Sequence, residues 1–288
     1  MKLPKSLRRK SKMEMALYLF VAFIFFLVAA SYVFIFLWAI LSGVKTHTEV
    51  VMDPFALPEI WHWEHFVEVL SLLKVNGSTF WDMLFNSVFF SVLGTFISLF
   101  TTMNFAYCCT KYKFFGSTWP YTIILVMMTL PIYGNTGATY RLYYNLGFID
   151  SYTSIIAAAG GFSMLFLYFR AFFQNLSWSY AEAAMMDGAG HFSIYFRVMA
   201  PMAKPIFGAL FLTGWLEGWN DYSAGLLLRP NLPTLPVGIY QFNLEMIHRA
   251  RLDILFAACV LIALPAIILF VAFNKVITTN VSIGGLKG

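Results

Sequence analysis

The sequence predicts an all-α polytopic membrane protein, a single domain over 1–288 with six transmembrane helices, and three observations carry that prediction. Of the 288 residues, 60% are hydrophobic and only 11% are charged, whereas an ordinary soluble domain carries about 25% charged residues. Mean hydropathy is +0.72. The apolar residues also fall into six blocks, each near the roughly 20 residues that cross a hydrocarbon core of about 30 Å.

The blocks lie near 16–41, 83–108, 117–137, 152–173, 205–228 and 253–274. The first has Ser31 as its only clearly polar interruption and is too long for the roughly 7–15 apolar residues of a secretory signal, so a retained helix is expected. The third is broken by Pro131, Gly134, Asn135 and Gly137, which predicts a kinked or frayed outer half.

Even-numbered spans put both termini on one side, and basic residues decide which side that is. Thirteen of the 19 Lys and Arg fall on the side of the termini, six of them between Lys2 and Lys12. Both termini are therefore expected in the cytoplasm and the chain in the cell membrane. The 41–82 loop carries Glu49, Asp53, Glu59, Glu64, Glu68 and Asp82, as suits an outer loop. Trp38, Trp61, Trp63 and Trp81 are placed in an outer aromatic belt.

Several functions are excluded on composition. Cys108, Cys109 and Cys259 form neither a CxxC pair nor a spaced ligand set, so no disulfide framework or zinc site is implied. The bases are not gathered into a patch interleaved with stacking aromatics, which argues against nucleic acid. His62-Trp63-Glu64-His65 has a superficial metal-ligand spacing that an interfacial helix explains as well, and no metal site is expected.

The connection from Gln174 to Lys204 spans 31 residues, where a connector needs only a few. Ser179 to Glu182 has the Ser-x-x-Glu spacing of a capping box. Ala181, Ala183, Ala184, Met185 and Met186 favour helix, Gly188 suits a left-handed C′ position, and a second helical pattern runs from Phe192 to Met199. An amphipathic pair lying on lipid headgroups is the alternative. Ala183, Ala184, Gly188, Ala189 and Gly190 expose little apolar area to lipid and permit close approach of a protein, so a docking element is the preferred reading.

Glu182-Ala183-Ala184-Met185-Met186-Asp187-Gly188-Ala189, followed by Pro201 and Lys204-Pro205, resembles the EAA loop of ABC-importer permeases. The resemblance extends over nearly the whole chain to the maltose-type permease subunits of carbohydrate importers. It includes Ala106-Tyr107 with Phe114-x-Gly116, Leu146 to Asp150, Trp219-Asn220-Asp221, Thr234 to Gly238 and the tail Gly284 to Gly288. Departures stand at Ser177, Ala200 and Asn280.

This resemblance implies the type I ABC-importer permease fold and import of a sugar, most simply an oligosaccharide, by alternating access. It implies a second homologous permease, a cytoplasmic ATPase dimer and an extracytoplasmic sugar-binding protein as partners. On it, Glu182 fixes the coupling-helix start, Ala183 and Ala184 its close contact, Asp187, Gly188 and Ala189 its exit, and Gly285, Leu286 and Lys287 also touch the ATPase. The chain has no Gly-Lys dipeptide and hence no Walker A loop. It is not itself an enzyme and binds no cofactor, so ATP and Mg belong to the partner.

Intramembrane ionisable residues are costly and mark candidate function. Glu217 and Asp221 stand four apart in the fifth block with Asn220, Trp215 and Trp219. Acid and amide groups suit sugar hydroxyls and indoles suit pyranose faces, which makes these five the candidate substrate path; hydrogen bonding to a neighbouring helix or to the partner permease is the competing use. A stand-alone ion-coupled transporter is the alternative function, weakened because no Lys, Arg or His shares that span. Pro230, Pro233 and Pro236 predict a stiff last outer loop leading into a partly helical Val237–Arg251.

Overall fold

The computed structural model describes residues 12–130, 136–160 and 163–284, with side chains over 13–130, 136–160 and 163–272. The basic N-terminus from Lys2 to Lys10, the interrupters Pro131, Gly134 and Asn135, and the tail residues Gly285, Leu286 and Lys287 lie outside the described residues. The described residues are predominantly helical. Its helices are α1 Lys12–Gly43, α2 His47–Met52, α3 Glu64–Leu72, α4 Phe80–Val88, α5 Gly94–Lys111, α6 Trp119–Thr129, α7 Thr136–Asn145, α8 Met164–Asn175, α9 Ser179–Met186, α10 His191–Ile194, α11 Ala200–Met202, α12 Lys204–Asn220, α13 Ser223–Leu228, α14 Leu235–His248 and α15 Leu252–Gly284. π-helical turns at Phe89–Leu93 and Tyr195–Met199 join α4 to α5 and α10 to α11, and a 3-10 segment covers Tyr152–Ala158.

Among the described residues, three helices are long and apolar enough to cross a membrane: Met13–Gly43, Phe80–Lys111 and Leu252–Ala272. A fourth crossing arises if His191–Met202 and Lys204–Asn220, bent by 66°, act as one. The block near 117–137 contains the 11-residue α6. The block near 152–173 is the 3-10 segment followed, after Gly160, by the 12-residue α8. The carbonyl freed at Gly160 accepts hydrogen bonds from the hydroxyls of Thr101 and Thr102, at 3.2 and 2.5 Å, which satisfies the broken backbone inside an apolar setting.

The chain divides into two units: 1–70 with 243–261, and 71–242 with 262–288. In the first, α1 is exposed over most of its length and buries only its last turn. Ser31, the polar residue of its apolar run, donates to the Val28 carbonyl at 2.7 Å. Lys45 is fully buried, and its ammonium donates to the carbonyls of Asp53 and Pro54 at 2.9 and 3.2 Å. Thr46 and Glu49 form a reciprocal capping box at the start of α2. At the start of α15, Arg251 binds Asp253 at 3.0 Å and Glu68 at 3.2 Å.

The second unit is built on α5 against α8. Leu99, Met103, Ala106, Tyr107, Ile124, Phe166, Phe169 and Phe173 form its core, and Ala181, Ile194, Tyr195, Met199 and Ala203 extend it into the 174–204 connection. Aromatic rings interlock across it: Tyr107 lies 5.3 Å from Phe173 and 4.6 Å from Tyr195. Lys111, the last residue of α5, donates to the Leu176 carbonyl at 2.6 Å. That bond gives the C-terminus of α8 its cationic cap and fixes where the next segment begins.

Candidate functional site

The first candidate site is the 174–204 connection, and the structure gives it the predicted helix, glycine corner and helix. The capping box predicted for Ser179 and Glu182 is not formed. Trp178, packed edge-on against Tyr112 with ring centroids 6.2 Å apart, is the N-cap, so Ser179 is already the first helical residue. The Ser177 hydroxyl instead accepts the Ser179 N–H at 3.2 Å. The helix therefore starts one residue earlier than the capping-box spacing predicts, with Trp178 packed at the boundary.

The exit of α9 follows the prediction. Gly188 has φ +79°, its N–H donates to the Met185 carbonyl at 2.9 Å and the Ala189 N–H to the Ala184 carbonyl at 2.9 Å. This is the double bond of a Schellman end. Gly190 then starts α10 with extended backbone.

The faces of this segment sort its residues. Ala181 is fully buried and Ala184 and Ala189 pack half-buried on the protein's own core. Glu182, Ala183, Asp187 and Gly188 are exposed. The exposed surface is not only small residues, as the sequence suggested: Met186 is 89% exposed and Phe192 83%. Large flexible apolar side chains flanking exposed small ones make a surface suited to a protein partner.

The second candidate site is a cavity of about 330 Å³ lined by the π-turn at Phe89–Leu93, α5, the 3-10 segment and α12–α13. It takes in Glu217, Trp219 and Asp221 from the predicted substrate path. Trp215 and Asn220 are not among its lining residues; Trp215 is buried against Trp219, with centroids 5.5 Å apart, and Asn220 donates to the Leu216 carbonyl at 2.7 Å. Trp219 is 3% exposed, so most of its ring is committed to packing.

Asp221 does not share a helix face with Glu217. It ends α12 in extended backbone, and one carboxylate oxygen accepts the N–H groups of Ser223 and Ala224 at 3.0 and 3.1 Å. An Asp at this place breaks the block near 205–228 because its short side chain offers a better start to α13 than continuation of α12. Gly225 then lets α13 approach α14: a Cβ there would stand 2.5 Å from Val237 Cγ2.

The residue that sequence reasoning missed is Arg229. By charge alone it is one of the six outer-side bases, but it lines the same cavity as Glu217 and Asp221. Its guanidinium lies 3.9 Å from the centre of the Phe90 ring. Burial lowers its pKa from the ordinary arginine value, opposed by the Asp221 carboxylate. Its signal was its position, a lone base ending the apolar run that Asp221 starts. The statement that the acids have no basic companion therefore holds along the fifth block and fails in space.

Among the described residues no group of three or more His, Cys, Asp or Glu is arranged to hold a metal. His62 binds Glu64 at 2.6 Å and stacks on His65, whose Nδ1 is 3.0 Å from the Gly43 carbonyl.

No protein-family model matches the chain. It is 28% identical over 269 residues to the arabinooligosaccharides transport system permease protein AraQ of Bacillus subtilis, covering 92% of this chain and 94% of the relative. It is 28% identical to the diacetylchitobiose uptake system permease protein NgcG of Streptomyces coelicolor, over 87% of this chain and 83% of the relative. Its fold matches a chain from the crystal structure of a bacterial ABC transporter involved in the import of the acidic polysaccharide alginate, with TM-score 0.75, 22% identity, and 92% and 98% of the two chains covered.

Helical architecture, apolar spans and these likenesses together define an integral membrane protein of the permease class. Over nearly its full length the chain is similar to permease proteins of carbohydrate transport systems, and its fold is that of an ABC-importer chain.

Proposed function

We propose that this permease imports a sugar, in the form of an oligosaccharide, through a six-span bundle with both termini in the cytoplasm. The observation that carries the reading is the co-linear likeness over nearly the full length to permeases named for arabinooligosaccharide and diacetylchitobiose transport. Its partners in this reading are a second homologous permease, a cytoplasmic ATPase dimer that binds ATP and Mg, and an extracytoplasmic sugar-binding protein. The chain itself holds no cofactor.

The 179–190 segment supports the coupling role. A buried Ala181 anchors α9 to the same core as α5 and α8, while Ala183, Met186 and Asp187 face outward. Motion imposed by an ATPase on the exposed face is thus carried into the bundle through tightly packed side chains. Glu182, Ala183, Asp187 and Gly188, with the tail residues Gly285, Leu286 and Lys287, form the contact in this proposal; Ala184 and Ala189 act as its seat. Glu217, Trp219 and Asp221 line the substrate path, with Trp215 and Asn220 behind them.

Isolation of the native complex through a C-terminal tag in mild detergent, with mass spectrometry of what accompanies it, tests the assembly. Recovery of an ATPase and one different permease supports the reading. Recovery of the chain alone, together with uptake that survives ATP depletion but collapses with the ion gradient, favours the stand-alone carrier instead. Single-cysteine labelling from either side of the membrane tests the span count, and an N-terminus labelled from outside overturns the orientation.

A further inference from the structure

Three polar groups of the α12–α14 region face the cavity without partners. Thr234 is 6% exposed, and its Oγ1 has no hydrogen-bond partner in the structure. Arg229 Nε is likewise buried and unpartnered, while its guanidinium is held in place over Phe90. The Glu217 carboxylate makes no ion pair or hydrogen bond among the described residues. By contrast, Asp221 is committed to the amides that start α13, and Ser87 and Ser91 are committed to Leu235 N–H and the Ser87 carbonyl.

We propose that this cavity is a subsite for one sugar ring, read by Glu217, Arg229 and Thr234, and that its charge admits neutral saccharides and disfavours acidic ones. The inference rests on the sugar-import reading and adds the class of sugar. A free carboxylate accepts from neighbouring hydroxyls, a fixed guanidinium nitrogen donates to a ring or hydroxyl oxygen, and a hydroxyl does either. Unsatisfied buried polar groups call for such a partner. At about 330 Å³, the cavity sits at the lower end of the roughly 300–1,000 Å³ of small-molecule sites, enough for one ring with the rest of an oligosaccharide outside.

The charge argument follows from the same residues. Glu217 and Asp221 against Arg229 leave the cavity net negative. Asp221 lines the same cavity as Arg229, so the guanidinium shares its wall with an anion. A sugar carboxylate placed here meets Glu217, an exposed carboxylate on the cavity wall, and that juxtaposition of like charges disfavours it.

Ligand-observed NMR on the detergent-solubilised importer complex, without its binding protein, tests this with maltotriose, arabinotriose, chitobiose and trigalacturonate as probes. At least one neutral saccharide binds, and trigalacturonate binds roughly tenfold or more weakly than it. Glu217→Gln narrows that gap, Arg229→Gln weakens the neutral ligand, and Arg229→Lys restores part of the loss. Equal binding of trigalacturonate, or variants with unchanged affinities and selectivity, overturns the subsite while leaving sugar import standing. If none of the saccharides binds, the subsite is overturned; if the assembled importer also takes up no sugar with ATP, the import reading falls with it.

Discussion

Asp150 holds Asn231 through both carboxylate oxygens, accepting its backbone N–H at 2.7 Å and its side-chain amide at 2.9 Å across 81 residues of chain. Asp150 also donates its own N–H to the Leu228 carbonyl at 2.9 Å and adopts φ +52°. The loop after α7 is thereby fastened to the turn after α13, next to Arg229. Asp150→Ala removes two charge-assisted bonds at a half-buried site, and loss of about 1–2 kcal/mol is expected. Thermal unfolding of the purified protein checks it, with Asp150→Asn retaining part of the stability because Asn tolerates the left-handed backbone.

Gly188→Val should abolish uptake while leaving membrane insertion intact. The position sits at φ +79°, where a β-branched residue is strongly disfavoured, and strain of about 1–3 kcal/mol or more falls on the α9–α10 corner. Transport assays beside a membrane-fraction immunoblot decide it; unchanged uptake would sink the coupling role of this corner.

Met186→Glu and Phe192→Ser should leave the thermal midpoint of the isolated permease within the spread of the wild type, because surface substitutions usually change stability by about 0.5 kcal/mol or less. Both should reduce the ATPase recovered with the permease. Met186 and Phe192 are 89% and 83% exposed, so a loss of co-purification without a loss of stability locates a partner on this face.

Gly225→Ala should destabilise the α13–α14 contact by about 1–3 kcal/mol, since its Cβ would stand 2.5 Å from Val237 Cγ2. The double variant with Val237→Ala should recover part of that loss. Thermal unfolding of the two single variants and the double variant reads the coupling.

The Glu49 carboxylate is held below the ordinary carboxylate range, first by the Glu59 N–H at 2.9 Å and then by the Thr46 N–H at 2.7 Å. A depressed folded-state pKa contributes stability above the ordinary carboxylate value that is lost as pH falls through the lowered one. Amide exchange at Glu59 and Thr46 should therefore quicken, relative to exchange from the unfolded chain, as acidification passes the lowered pKa, and Glu49→Gln should remove that pH dependence.

Much of this protein was legible in its sequence, for physical reasons that act locally. The scarcity of charge and the length of the apolar blocks set a helical membrane protein, because hydrocarbon tolerates neither exposed charge nor open backbone. The EAA-like run and Gly188 set a helix and its corner, because only a few residue types end a helix with positive φ. Tertiary structure decided what depends on neighbours remote in sequence. Packing of Trp178 on Tyr112 moved the start of α9, and hydroxyls from α5 made a broken backbone at Gly160 tolerable. Asp221 left the helix face it shares with Glu217 in a periodic reading, because the amides of Ser223 and Ala224 offered its carboxylate partners. Arg229 enters the acidic cavity because α12 ends at Asp221 and α13 packs closely on α14 at Gly225. Period and composition report on one segment at a time, whereas a cavity belongs to several segments, so its charge pairing appears only once they are brought together.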